Sequence, residues 1–292
     1  MLFRSPFIYR SRLTDAREYA YEEDGSRSFP LGLFVRGSSY DLFGVFRTDL
    51  HLFGVQASPG ETAPQVHLLG TDQLGRDRFS RLIVGMRFSL IVSPAGTIAA
   101  CLLGVIFGAV SGYSGRRTDS AMMSIADTVI ALPTLIVILA ARAAFPLELP
   151  PIKAGIMLIS IFALTGWAEM ARLTRGQVVA VKNLEFVTAA RALGSGEGRI
   201  LSAHILPNIA GALLLQATLI LPAFFLAEVA LSFVGVGLQE PEPSIGNMLA
   251  AASDLTQLGR HPFVLLSPAV VIFLFVLATR LISRGRRASL SA

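Results

Sequence analysis

Residues that could do chemistry are few, and most do not converge. In GTDQLGRD, Asp72 and Asp77 stand close enough to suggest a pair of carboxylates for acid and base work. The same spacing reads more simply as a capped turn leading into a helix, with Asp77 facing Arg81 four residues on. His51, His67, His204 and His261 are scattered, and neither an HExxH pattern nor a cysteine pair accompanies them, so no metal centre is expected. Cys101, the single cysteine, lies in an apolar run and reads as a small buried residue. No GxxxxGK[ST] stretch is present, and Gly25, Gly32 and Gly37 are too far apart to cradle a phosphate. The stretch best placed to act is instead TAARALGSGEGRILSAHILP, residues 188–207, a polar and basic segment between two apolar ones. It starts at helical pitch, breaks at Gly194-Ser195-Gly196, resumes through Arg199 and is expected to stop at Pro207. Two short helices around a glycine bend would offer a soluble partner a compact knob.

The elements that would position this knob are membrane helices. Of 292 residues, 53% are apolar and only 15% charged, against about 25% charged in an ordinary soluble domain. The net charge of +5 is carried mainly by arginine, and no loop interleaves basic with aromatic residues, so a nucleic-acid partner is not expected. The chain reads as an all-α polytopic membrane protein with the lipid bilayer as its first partner. Five spans are expected, at about 88–112, 120–141, 152–171, 209–229 and 263–282, together a membrane domain over 88–282. In the first, Ala100, Gly104, Gly108 and Gly112 recur every four residues and suit close packing on another helix. In the second, Asp127 either pairs structurally or faces a translocation path, and Pro133 bends the helix. Lys153 and Glu169 mark the ends of the third, where Trp167 fits an interfacial anchor. Glu228 falls near the outer end of the fourth.

Placing the turn at 113–119, the segment 172–207 and the tail after 279, with residues 283–292 beyond the last span, in the cytoplasm gives that side eleven lysines and arginines, against three in the opposite loops. Residues 1–87, with eleven arginines and ten acidic residues, then lie outside as a small mixed region of two or three short strands, including 38–46 and 50–55, closed by ASPGETAP. An outside region without a leading apolar helix leads us to expect a further span upstream.

The loop also resembles a motif of the permease subunits of binding-protein-dependent ABC importers: EAA, three residues, G, nine residues, I, one residue, LP. Ala189, Ala190, Gly194, Leu206 and Pro207 fall on it, while Thr188 replaces the glutamate and His204 the isoleucine, with Ile205 next. Two more stretches, HLLGTDQLGRDRFSRLIVGMRFSL at 67–90 and LSFVGVGLQEPEPSIGNMLA at 231–250, are similar to the dipeptide, oligopeptide and nickel branch; together the likeness covers about 40–275. The resemblance implies an ABC type I importer transmembrane domain, multi-pass in the inner membrane, with residues 184–207 as its cytoplasmic coupling loop. It implies ATPase contact through Thr188, Ala189, Ala190 and Gly194, a polar rim at Arg191 and Glu197, and a turn into the fourth span at Leu206 and Pro207. The implied partners are a homologous second permease subunit, two cytoplasmic ATPase subunits holding the ATP and Mg, and an extracytoplasmic solute-binding protein; this chain would bind no cofactor. Dipeptides or oligopeptides are the expected cargo, with nickel or another small solute as the alternative. A channel or carrier would need mid-membrane charges beyond Asp127, and a membrane adaptor would need only helices and a sticky loop.

Overall fold

The computed structural model describes residues 7–15, 20–42, 46–55, 64, 66–72, 74–146, 149–253 and 262–291. The expected loop ASPGETAP lies outside them apart from Pro64. The chain divides into two units, Met1–Arg78 and Phe79–Ala292. The division precedes the 87/88 boundary read from hydropathy, because the first long helix begins in charged sequence.

The first unit is an antiparallel ladder of β1 (Phe7–Asp15), β2 (Ala20–Leu42) and β3 (Phe46–Val55). The long β2 serves two partners in turn: its first half pairs with β1, Phe7 opposite Pro30, and its second half with β3, Leu31 opposite Val55. The expected strands at 38–46 and 50–55 thus fall in β2 and β3, apart from 43–45, which lie outside the described residues, and β1 was not foreseen. Beyond the sheet, Asp72 closes the GTDQLGRD turn by accepting from the Leu74 and Arg76 amides, both at 2.9 Å, and from Arg76 Nε at 2.6 Å. Burial pushes the Asp72 carboxyl up, but these Arg76 and Leu74 hydrogen bonds prevail and hold it below the usual carboxylate range. Asp77 lies 3.1 Å from His67 Nδ1.

The second unit is helical: α1 (Arg78–Tyr113), α2 (Arg116–Ala131), α3 (Thr134–Ala143), α4 (Pro151–Val181), α5 (Glu185–Ala192), α6 (Glu197–Arg199), α7 (Leu206–Phe233), α8 (Ile245–Ala250), α9 (Pro262–Leu265) and α10 (Ser267–Ser291). Among the described residues four helices are long and apolar enough to cross a membrane, and α2 with α3 forms a fifth, bent candidate. Three expected spans are longer as helices than as apolar runs. α1 starts ten residues before position 88, α4 continues past Arg172 and Arg175 to Val181, and the fourth runs unbroken from Glu197 to Phe233. Hydropathy marks where a helix can meet lipid, whereas backbone hydrogen bonding carries it beyond. At Pro133 the expected bend is a break of 82°. Leu132, forced out of the α region by the following proline, is extended with ψ 135°.

The expected stop at Pro207 does not occur. A π-helical stretch, Ile200–Ile205, precedes α7, and Pro207 sits in its first turn, where a missing N–H costs no hydrogen bond. Residues 197–233 therefore form one rod.

Between α1 and α4 the close approach runs along the small-residue row. A Cβ on Gly104 would sit 2.5 Å from the Trp167 carbonyl oxygen, one on Gly108 would overlap the Ala171 carbonyl, and one on Gly112 would lie 2.9 Å from the Arg175 carbonyl. Trp167, expected at a membrane boundary, lies inside this seam, edge-on to Phe107 at 4.5 Å. The main core adds α3 and α7: Ile138, Leu158, Phe162 and Phe224 are buried, and the last two rings stack at 4.5 Å. Lipid tails are as apolar as these side chains, so dispersion and close fit hold the helices together rather than release of water.

Candidate functional site

Residues 182–209 form a knob at the shared end of α1, α4 and α7. Three residues, Lys182 to Leu184, link α4 to α5, and the Lys182 ammonium donates to the Gly112 carbonyl at 2.8 Å, covering an open helix end. Just past the end of α5 comes Gly194, whose φ of +82° lies in the left-handed region. The Gly194 amide donates to the Arg191 carbonyl at 3.0 Å and the Ser195 amide to the Ala190 carbonyl at 3.1 Å, a Schellman closure that a side chain at 194 would strain. Beneath α5 a second apolar cluster joins Ala109 of α1, Val178 and Val181 of α4, Val187 and Ala190 of α5, and Ile200, Ile205 and Ile209 of the α6–α7 rod.

This packing separates the expected contact residues. Thr188, Ala189 and Gly194 are exposed, but Ala190 turns inward and is buried in the chain's own cluster. Ala190 is therefore corrected from a contact with a partner's wall to a piece of the knob's core. Arg191 and Glu197 face each other at 3.3 Å, Arg191 Nη2 donates to the Tyr113 hydroxyl at 3.0 Å, and that hydroxyl donates to Glu197. The expected polar rim is a clasp tying both arms of the knob to the end of α1. Leu206 and Pro207, expected to make a turn, continue the rod instead, for the reason given by the π-helical stretch.

The outward face holds residues that loop reading missed: Leu184, Phe186 and Leu193, the last 86% exposed. With Thr188 and Ala189 they give an apolar surface on a segment otherwise rich in charge, and such a patch marks a protein contact. The signal was available, since three large apolar residues stand among polar ones between two spans.

Ion pairs fix the adjoining helices. Arg175 of α4 grips Asp119 of α2 through Nη2 at 2.6 Å and Nε at 3.1 Å, and Ser111 of α1 donates to the same carboxylate at 2.6 Å. Asp127 is exposed, with Arg172 3.8 Å away. Glu228, expected near an outer end, is fully buried in α7, accepting from Ser89 of α1 and from Ser232 at 3.0 Å. Among the described residues no three His, Cys, Asp or Glu side chains group as a metal site.

Residues 104–285 match the family described as binding-protein-dependent transport system inner membrane component. The chain is 38% identical over 224 residues to an oligopeptide transport system permease protein, OppC, of Bacillus subtilis, covering 77% of this chain and 71% of that one. It is 37% identical over 223 residues to a di/tripeptide transport system permease protein, DppC, of Pseudomonas aeruginosa, covering 76% and 71%. In fold it is similar to an amino acid ABC transporter solved with histidines, at TM-score 0.53 and 18% identity, covering 72% of this chain and 94% of that one. The inward-facing MetNI methionine ABC transporter gives TM-score 0.52 at 15% identity, covering 71% and 96%. With apolar helices built to cross a bilayer and a family match over most of its length, this chain belongs to the inner-membrane components of binding-protein-dependent transport systems.

Proposed function

We propose that this chain is a permease subunit of an ATP-driven importer of dipeptides or oligopeptides. It pairs with a second, homologous permease, receives cargo from an extracytoplasmic binding protein, and takes its energy from two cytoplasmic ATPase subunits that hold ATP and Mg. The observation that carries the energy coupling is the knob, an exposed apolar face on a segment rigidly continuous with two spanning helices. Closure of an ATPase pair against Leu193, Ala189 and Phe186 would move α5, and the short 182–184 link and the unbroken 197–233 rod would pass that motion to α4 and α7. The coupling requires two arrangements of the helices that differ in their contacts at the knob. The cargo class rests on the relatives, whose names specify oligopeptide, dipeptide and di/tripeptide transport. Arginine placement supports a cytoplasmic knob.

Proteoliposomes holding the assembled importer test this reading. Uptake of a labelled dipeptide should require this subunit, ATP and the binding protein together. ATP turnover stimulated by a loaded binding protein, with no peptide entering, would overturn the cargo assignment.

A further inference from the structure

Between α3, α4 and α7 lies a cavity of about 470 Å³, a size within the roughly 300–1,000 Å³ of small-molecule sites. α4 brings Thr165 and Glu169 one turn apart on a single face, α7 brings Gln216, and α3 brings Thr134, while Ile138 and Phe224 form part of an apolar remainder. Two of these helices, α4 and α7, are the ones through which the knob's motion would pass.

Glu169 is the anomaly. It is exposed on α4, one turn before Arg172, where the helix runs on past the apolar stretch. The other acids of α2, α4 and α7 are engaged: Asp119 with Arg175, Asp127 with Arg172, and Glu228 with two hydroxyls. Glu169 has no hydrogen bond or ion pair among the described residues, and its carboxylate opens onto the cavity. Gln216 and Thr134 also line it without an internal partner. Thr165 donates back to the Ile161 carbonyl at 2.9 Å, leaving its oxygen as an acceptor. A cation that enters the cavity would therefore meet a carboxylate with no partner of its own among the described residues.

The geometry points to this cavity among α3, α4 and α7 as a peptide-reading site, with Glu169 accepting the N-terminal ammonium of the cargo and Gln216 pairing with its first peptide group. The inference rests on the peptide-import reading and adds to it a site of selection beyond the binding protein. An ammonium supplies three donors to a carboxylate, and the glutamine amide can both donate and accept, as a peptide group requires. The apolar walls take side chains without choosing among them.

Two measurements on the assembled importer in proteoliposomes test it. In a Cys101→Ser background, Gln216→Cys is treated with a cationic and an anionic methanethiosulfonate of similar size. The cationic reagent should react about tenfold faster, the preference expected of a local unpaired carboxylate, and adding Glu169→Gln should bring the two rates toward parity. Equal rates with Glu169 present, a preference that survives Glu169→Gln, or a thiol neither reagent reaches would each overturn the site.

The second measurement is uptake of dialanine, which has no side-chain cation. Glu169→Gln should slow it by roughly 10- to 100-fold, as loss of a charge-assisted hydrogen bond does, with ATP turnover stimulated by loaded binding protein kept within about twofold. Glu169→Asp should restore most of the uptake. Wild-type uptake unmatched by any Glu169→Gln defect refutes the site alone, and a defect confined to lysine-containing peptides refutes the N-terminal assignment. Equal loss of uptake and ATP turnover marks Glu169 as structural and overturns the proposal. A wild-type importer that moves no dipeptide refutes peptide import, and the site's ligand with it.

Discussion

The two ends of α7 are anchored in opposite ways. At the knob, a buried apolar cluster is overlaid by polar ties open to water, the clasp of Arg191, Glu197 and Tyr113, while large apolar side chains face outward. At the far end, residues 228–250 fold back on α7 through buried bonds. Glu228 accepts from Ser89 and Ser232, the Leu238 amide reaches Ser232 Oγ at 3.3 Å, and Ser244 with Asn247 forms a capping box at the start of α8. Gly246 permits α8 to touch the α7 backbone, and Phe225 stacks on Phe275 of α10 at 4.0 Å. Inward satisfaction makes the 228–250 lobe a fixed part of the subunit. Outward apolar surface on a braced support makes the knob a place for something else to bind.

Substitutions can break this contrast, and the largest effect should come from the lobe. A Cβ at Gly246 would overlap the Val229 carbonyl and fall 2.6 Å from the Phe233 amide, with backbone that cannot yield. Gly246→Val should therefore cost about 3 kcal/mol or more, seen as a lower unfolding temperature of the detergent-solubilised protein and reduced membrane levels. Gly194→Val should have a smaller effect. Nothing lies within 4 Å of a Cβ there, so the cost is that of the positive φ alone, about 1–2 kcal/mol. It should reduce coupled uptake more than folding, because it tilts α5 against the rod. Arg191→Gln should be the mildest. The clasp is exposed, so the thermal midpoint should hardly move, and any loss of coupling should fade as salt is raised.

What the sequence could show followed from what each pattern encodes. The glycine row of α1 was legible because spacing by four survives in the letters and its meaning, close backbone approach, needs no partner to be known. Gly194 and Pro133 were legible as breaks for the same local reason. Pro207 misled, since a proline that ends one helix is tolerated where a π-helical stretch and a first-turn position remove the clash. Ala189 and Ala190 could not be told apart, being the same residue with inward and outward placement set by Val187, Ile200 and Ile205 from elsewhere. Glu169 was read as the end of an apolar span, and the letters did not show that the helix runs on past it to Val181. The burial of Ala190 also spoils an otherwise natural test: Ala190→Trp would overpack the knob's own core, and a loss of transport would say nothing about docking.

Leu193 gives the cleaner probe, because its side chain is 86% exposed and supports nothing within the subunit's core clusters. The decisive measurement is the amount of ATPase subunit recovered with the affinity-purified permease when Leu193 is changed to Glu, at equal membrane insertion. A partner that buries Leu193 should be lost about tenfold or more, the scale of an interface anchor, while Leu193→Met should retain it. Unchanged recovery with normal coupled uptake in Leu193→Glu would contradict the assignment of the knob as the docking element for the ATPase.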